Sequence, residues 1–231
     1  MPDLVPNESL PIEQFAALSA VEFCRHAFVG RVPGLDVASD KTEALRRLDA
    51  VHREVRRSLG IDALPLVTTE QVHGSEVAVV DAKPHGDQHL SGCDALITNQ
   101  PNVVLGIHVA DCGAVFIVDP TRRLIALIHS GKKGTELGIV PKTIAQMQSR
   151  FGSNAADLIV QLSPCIRPPH YEIDFGAEIL RQARNAGVQS VHDAGVCTAC
   201  ELDRHYSYRA EKGRTGRMLA LLAMIEPQER R

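Results

Sequence analysis

No long run of lysine or arginine occurs in this chain and its formal net charge is −3, which removes the broad basic footprint of a nucleic-acid binder. The nearest approach to one, Arg53, Arg56 and Arg57, fits the solvent face of a helix. No apolar run is long enough to cross a bilayer. Residues 1–13 carry acids and prolines without the basic and apolar regions of an export signal. No membrane partner is therefore expected, and the cytoplasm is the expected location. Six cysteines without such a signal read as reduced thiols or metal ligands, not as a disulfide framework. Internal repeats, low-complexity tracts and Gly/Ser linkers are also missing, so nothing marks a domain boundary. The expectation is a single domain over residues 21–231, preceded by a loosely attached lead-in over 1–20.

What is present suits an ordinary globular fold. With 231 residues, 44% of them hydrophobic and 23% charged, the chain can bury a substantial core, and neither disorder nor a fibrous repeat is needed to explain its composition. A strand is predicted over 22–32. A helix follows over 40–59, with Leu45, Leu48, Val55 and Leu59 on one face and Gly60 closing it. Short β-branched runs at 64–69, 76–81, 94–98, 103–110, 113–118 and 123–129 read as strands, and Asp119-Pro120-Thr121 makes 113–129 a hairpin. A helix then carries Leu137, Val140, Ile144, Met147 and Phe151 on one stripe, with Pro141 expected to kink it. Beyond it come a strand at 158–162, a helix at 175–186 ended by Gly187, a strand at 188–192 and a final helix over 215–225. This irregular interleaving predicts an α/β chain of the α+β kind instead of a regular doubly wound sheet.

Three side chains end apolar strands beside glycine. His73 lies in Glu70-Gln71-Val72-His73-Gly74, Cys112 in Ala110-Asp111-Cys112-Gly113 and His129 in Ile128-His129-Ser130-Gly131. Two imidazoles and a thiolate are borderline-soft donors that suit zinc, and three protein ligands leave a fourth position open for water or substrate. Zinc so placed lowers the pKa of bound water to about 7. The three are far apart in sequence, so spacing does not select them, and each is also compatible with a satisfied buried polar group. His108, four residues before Cys112 and on the same face of a continuing strand, competes as a ligand.

Ser130-Gly131-Lys132-Lys133-Gly134 runs into a helix. The N–H groups of a helix start and two lysines favour an anion such as phosphate, although Walker spacing is absent and a solvated lysine pair is the alternative. Cys197-Thr198-Ala199-Cys200 has no second C-x-x-C and no thioredoxin-like surroundings, which leaves two ordinary thiols. Arg209 in Tyr206-Ser207-Tyr208-Arg209 and Arg217 in Thr215-Gly216-Arg217-Met218 either grip an anionic substrate or pair with acids.

Taken in order, Gln71-Val72-His73-Gly74, Asp94-Ala95-Leu96-Ile97-Thr98, Ala110-Asp111-Cys112, His129-Ser130-Gly131-Lys132-Lys133-Gly134, Ser163-Pro164-Cys165-Ile166 with Tyr171-Glu172-Ile173, and the Tyr206 and Thr215 segments resemble the motifs of the laccase-domain family. Its members are also called multicopper polyphenol oxidase-like proteins and include zinc-dependent purine nucleoside phosphorylases. The likeness runs over 26–224. It implies a single α/β domain of mixed sheets packed with outer helices, one zinc on His73, Cys112 and His129, and purine nucleosides and phosphate as substrates. The implied reactions are phosphorolysis of adenosine, inosine, guanosine or methylthioadenosine, and hydrolytic deamination of adenosine. This chain departs from the family where Trp-Arg becomes Lys132-Lys133, where Leu-Pro after A-D-C becomes Gly113-Ala114, and where Arg-x-Gly-Gly-Val-Ser is reduced to Arg31 followed by Val32-Pro33-Gly34. These positions bear on base stacking and substrate choice.

On this resemblance phosphate is expected near Lys132, Lys133 and Arg31, with Gln71, Arg209 and Arg217 also binding substrate, and Asp111 or Glu172 moving protons beside Cys112. One rival is a cysteine hydrolase or transferase with Cys112 as nucleophile and His129 as its base. Another is a non-catalytic metal-binding scaffold of the same fold. Copper-dependent phenol oxidation fits poorly, because multicopper sites need many more paired histidines. Monomer and homodimer both remain open.

Overall fold

In the computed structural model, which describes residues 10–226, the apolar runs become strands of two six-stranded sheets. The strands are β1 (Ile12–Glu13), β2 (Cys24–Val29), β3 (Leu66–Thr69), β4 (Val77–Val79), β5 (Gln88–Leu90), β6 (Ala95–Thr98), β7 (Val103–Val109), β8 (Gly113–Asp119), β9 (Leu124–Ser130), β10 (Ile159–Leu162), β11 (Ser190–Asp193) and β12 (Met218–Met224). The helices are α1 (Ala16–Ser19), α2 (Lys41–Ser58), α3 (Lys132–Glu136), α4 (Ile139–Phe151) and α5 (Phe175–Asn185). One sheet runs β1-β2-β12-β7-β3-β5 and the other β11-β10-β8-β9-β6-β4. Each mixes parallel with antiparallel pairs, which is the α+β class expected.

Alternation along the strands builds the layers. In β8, Ala114, Phe116 and Val118 join Phe28, Leu105, Ile107 and Met218 in a core between the sheets. Val115 and Ile117 point the other way, onto Ile139, Val140 and Ile144 of α4 and Ile179 of α5. On the far side of the first sheet, Val51 and Val55 of α2 cover Ala27, Val29, Val104, Leu219 and Leu221. Each such Val, Leu, Ile, Phe or Met side chain, once fully buried, contributes roughly 1.5–3 kcal/mol. Asp40 caps α2 by accepting the Glu43 N–H at 3.0 Å, worth about 1 kcal/mol. The β8–β9 hairpin closes as expected, Asp119 Oδ1 accepting the N–H groups of Thr121 and Arg122 at 2.9 Å each.

Four expectations are corrected. The final helix over 215–225 is the strand β12, inserted between β2 and β7. Met218, Ala220, Leu222 and Met224 face one core while Leu219, Leu221 and Ala223 face another, so no polar side survives to reveal a period of two. Pro141 starts a helix instead of kinking one. Gly138, at φ +71°, separates α3 from α4, and Pro141 then falls in the first turn of α4, where an N–H has no helical partner anyway. Arg56 is 8% exposed and not on the solvent face. Its guanidinium donates to the Leu64 carbonyl at 2.6 Å and to Asp87 at 3.3 Å, whereas the exposed Arg53 and Arg57 pair along the helix with Asp49 and Glu54. Lastly, the segment from Ile12 is not loosely attached. β1 pairs with β2, Phe15 and Leu18 are buried, and the Phe15 N–H donates to His26 Nε2 at 2.7 Å. Residues 1–9 of the expected lead-in lie outside the described residues. Three short elements, β1, α1 and the polar edge strand β5, went unread, each only two to four residues long. Among the described residues no helix is long and apolar enough to cross a membrane.

Phe15 packs edge-on against Phe116 at 5.5 Å and stacks with His26 at 5.9 Å between ring centroids. Phe15→Ala is expected to lower the unfolding free energy by about 3 kcal/mol, read from urea denaturation. Burial holds His26 down from 6.5 to about 4, and burial acts in the same direction on His52, also to about 4. The unfolded chain takes up protons below pH 6.5 that these folded rings refuse until about pH 4. Stability is therefore retained above the unfolded value and lost as pH falls through that window. The urea midpoint of metal-free protein should fall between pH 7 and 4.5, and fall less in His26→Gln.

Candidate metal centre

Asp94 precedes β6 and is fully buried. A carboxylate taken out of water is costly unless paired and hydrogen-bonded, and here three donors meet it. Its Oδ1 accepts the His73 N–H at 2.9 Å and lies 2.8 Å from His129 Nδ1, while Oδ2 accepts the Gly74 N–H at 2.7 Å. Burial opposes ionisation of Asp94, but the His129 ring and the two backbone N–H groups outweigh it and hold the carboxyl below its ordinary range. With Nδ1 committed to Asp94, His129 keeps Nε2 for a ligand.

The other two donors arrive on unusual backbone. Gln71 and His73, in the loop after β3, have φ values of +62° and +58°, a left-handed region costly for a side-chain-bearing residue. Gln71 clamps this loop to β7, its amide accepting the His108 N–H at 3.0 Å and donating to the His108 carbonyl at 2.5 Å. Cys112 sits where the chain leaves β7 in the first sheet and enters β8 in the second. Asp111 makes that turn at φ +81°, its carboxylate accepting the Thr198 hydroxyl and the Arg209 N–H at 2.7 Å each. Gly131 leaves room for sulfur, since a Cβ there would come within 2.5 Å of Cys112 Sγ.

The result is a cluster in which one donor atom from each of His73, Cys112 and His129 lies within 4.8 Å of the others, alone of its kind among the described residues. The two imidazoles meet edge-on, 4.8 Å between centroids. Burial pushes the Cys112 thiol up, yet His129 and His73 outweigh it and bring it from 9.0 down to about 6. Burial likewise pushes His129 down, but Asp94 and Cys112 carry it up to about 9. The thiol thus favours the thiolate, the form that binds metal. Two nitrogens, a thiolate, a carboxylate behind one imidazole and an exposed His73 fit a metal with an open fourth position. His108 does not join them. Burial drives it down to about 3 and its ring lies 5.9 Å from that of His52.

Above the cluster opens a cavity of about 460 Å³, into which Lys41, Lys132, Arg209 and Arg217 all project. Asp111 also lines it, but both its oxygens are engaged, so the cavity favours anions. Glu172 does not line the cavity and pairs with Arg209 at 3.2 Å and Lys132 at 4.0 Å, and exposed pairs of this kind are worth little. Two expected anion ligands are elsewhere. Arg31 stacks on Tyr206 at 4.5 Å and pairs with Glu211 at 2.7 Å, so its charge is spent outside the cavity. Lys133 is exposed on the short α3 and does not line the cavity. Gln71 lines it with its amide already consumed by β7. Cys197 and Cys200 are free thiols outside it. Sequence reasoning missed Asp94 and Lys41. Asp94 carried a usable signal, an acid opening an apolar run, whereas Lys41 is delivered only by the docking of α2.

The sequence pattern of the family described as multi-copper polyphenol oxidoreductase laccase matches residues 29–181 and 173–225. A Streptomyces coelicolor protein named purine nucleoside phosphorylase is 30% identical over 188 residues, covering 70% of this chain and 76% of its own. A protein named adenosine deaminase, from an unknown prokaryotic organism, is 29% identical, covering 76% of this chain and 66% of its own. The crystal structure of YlmD from Geobacillus stearothermophilus superposes with a TM-score of 0.76 at 24% identity, covering 94% of this chain and all of that one. That superposition shows the same fold of two mixed sheets with helices.

Cys112→Ala is expected to abolish metal binding. Asp94→Asn should weaken it on the order of 10–100-fold, because the carbonyl and amide of asparagine cannot reproduce the carboxylate behind His129. Equilibrium dialysis against zinc, with circular dichroism to verify folding, checks both.

Proposed function

The chain belongs to the multi-copper polyphenol oxidoreductase laccase family, and from that premise we propose that it is a zinc-dependent purine nucleoside phosphorylase with adenosine deaminase as a second activity. The observation that carries this reading is the His73–Cys112–His129 donor set at the base of a cavity walled by four cationic side chains. The printed names of the relatives support it. Zinc held there would supply Lewis acidity toward a polar atom of the substrate.

The chain's own residues do the rest. Arg217 is the best-placed phosphate anchor. Its Nη1 donates to the Thr215 and Gly216 carbonyls at 2.9 Å each, which aims the guanidinium without neutralising it. Lys41 and Lys132, which also line the cavity, add charge. Held there, an oxygen of hydrogen phosphate attacks the ribose anomeric carbon, forming a carbon–oxygen bond as the bond to the purine nitrogen breaks, and the departing base takes up the proton that the phosphate gives up. Fixed positive charge keeps the attacking anion in place and raises its effective concentration. For deamination, the two acids that could move protons are Asp111, which lines the cavity but is held by Thr198 and Arg209, and Glu172, which lies outside the lining and pairs with Arg209 and Lys132.

A cysteine hydrolase is the second reading, favoured by the lowered Cys112 thiol beside His129. Metal content separates the two, since stoichiometric zinc on Cys112 leaves no free thiolate. Copper-dependent phenol oxidation would require further histidine clusters, and one donor group is present among the described residues. Bound metal without turnover on any nucleoside would favour a scaffold.

The direct test incubates purified protein with adenosine or inosine, with and without phosphate, and follows free base, inosine and ribose 1-phosphate. Phosphate-dependent release of base is expected, with Arg217→Ala raising KM for phosphate roughly tenfold or more. Absence of all products across the purine nucleosides, with metal bound, sinks the proposal.

A further inference from the structure

The chain has three tyrosines and no tryptophan, and the tyrosines differ sharply in surroundings. Tyr206 is fully buried, its hydroxyl accepting the Val32 N–H at 3.0 Å. Tyr171 lines the cavity but is already covered, with the Arg209 guanidinium 4.8 Å from its centroid and Phe175 edge-on at 5.7 Å. Tyr208 lines the same cavity and is 55% exposed, the most exposed large apolar side chain among the described residues.

This exposed ring stands on a rigid mount. The Arg209 N–H that follows it is held by buried Asp111 at 2.7 Å, and the Tyr208 carbonyl accepts the Gly213 N–H at 2.8 Å. Gly213, at φ +83°, backs the hydroxyl end of the ring so closely that a Cβ there would lie 3.2 Å from it. The Arg217 guanidinium also lies over this ring, but at 5.8 Å from its centroid it stands farther off than Arg209 from Tyr171 and leaves Tyr208 more than half exposed. A large aromatic surface left in water on a fixed backbone is pre-organised to be covered by a flat partner at little entropic cost.

We propose that Tyr208 is the base-stacking platform of the cavity, binding the planar heteroaromatic ring of the substrate beside the anion held by Arg217. This rests on reading the cavity as a purine nucleoside site. Stacking tolerates any base, because every base has a π-face, so the platform selects for planarity and not for a particular exocyclic group. That suits an enzyme proposed to take adenosine, inosine and guanosine alike. It also supplies an aromatic surface where Lys132 stands in place of the family's tryptophan.

The test measures inosine binding without phosphate in zinc-loaded protein. Tyrosine emission of the tryptophan-free chain serves as one readout and calorimetry as the other. Tyr208→Phe keeps the π-face and should hold affinity within about twofold, whereas Tyr208→Leu keeps apolar bulk alone and should weaken it about tenfold or more. In turnover, Tyr208→Leu should raise KM for nucleoside with kcat little changed. Gly213→Ala, which presses a methyl on the ring, should weaken inosine binding with Tyr208 still present. Equal inosine affinity in wild type and Tyr208→Leu overturns the platform, and if phosphorolysis persists the phosphorylase reading stands without it. Tyr208-dependent binding of inosine with no phosphorolysis supports the platform and removes the phosphorylase reading. Failure of wild type to bind any purine overturns both.

Discussion

A single buried carboxylate organises the centre of this protein. Asp94 has no access to water, and a charge so placed persists only where donors replace its hydration. It draws those donors from the loop after β3 and from β9, so satisfying the charge also fixes where two of the three side chains able to hold a metal stand. The same bonds commit His129 Nδ1 and so decide which nitrogen faces the cavity. Electrostatic satisfaction and ligand geometry are one requirement here.

The position of the third candidate donor depends on how the sheets are joined. The chain passes from the first sheet to the second through Asp111 and Cys112, and the left-handed turn at Asp111 survives because Thr198 and Arg209 both bind its carboxylate. Backbone strain of this kind, on the order of 1–3 kcal/mol per residue, persists only where surrounding contacts over-determine it. Gln71 and His73 carry the same kind of strain, and they too are held, by β7 and by Asp94. Three of the six described non-glycine residues with positive φ thus gather around one cluster at the seam of the two sheets, while Asn102, Arg123 and Lys212 lie in turns elsewhere.

Legibility followed burial on one face or two. α2 was readable to within a residue at each end because it covers a single sheet and keeps a polar side. β12 was misread as a helix because both its faces are buried and its composition of Leu, Met and Ala suits either state. The extra turn α3 and the break at Gly138 were hidden because α3 carries no apolar residue and Leu137, grouped with the stripe of α4, is the exposed C-cap of α3. At the site, His73, Cys112 and His129 stood out as polar residues ending apolar strands. Arg31 did not belong with them, because Glu211, 180 residues away in sequence, neutralises it.

From its order of residues alone this chain determined its strands of β-branched residues, its capped helix α2, its hairpin and the types of donor it can offer a metal. Those are local properties, set by periodicity, turn chemistry and side-chain identity within short windows. The tertiary structure decided which donors converge, that His108 is excluded, that Lys41 enters the cavity and that Arg31 and Lys133 do not. Such outcomes depend on sheet order and on charge partners brought together from distant segments, and no short window of sequence contains them.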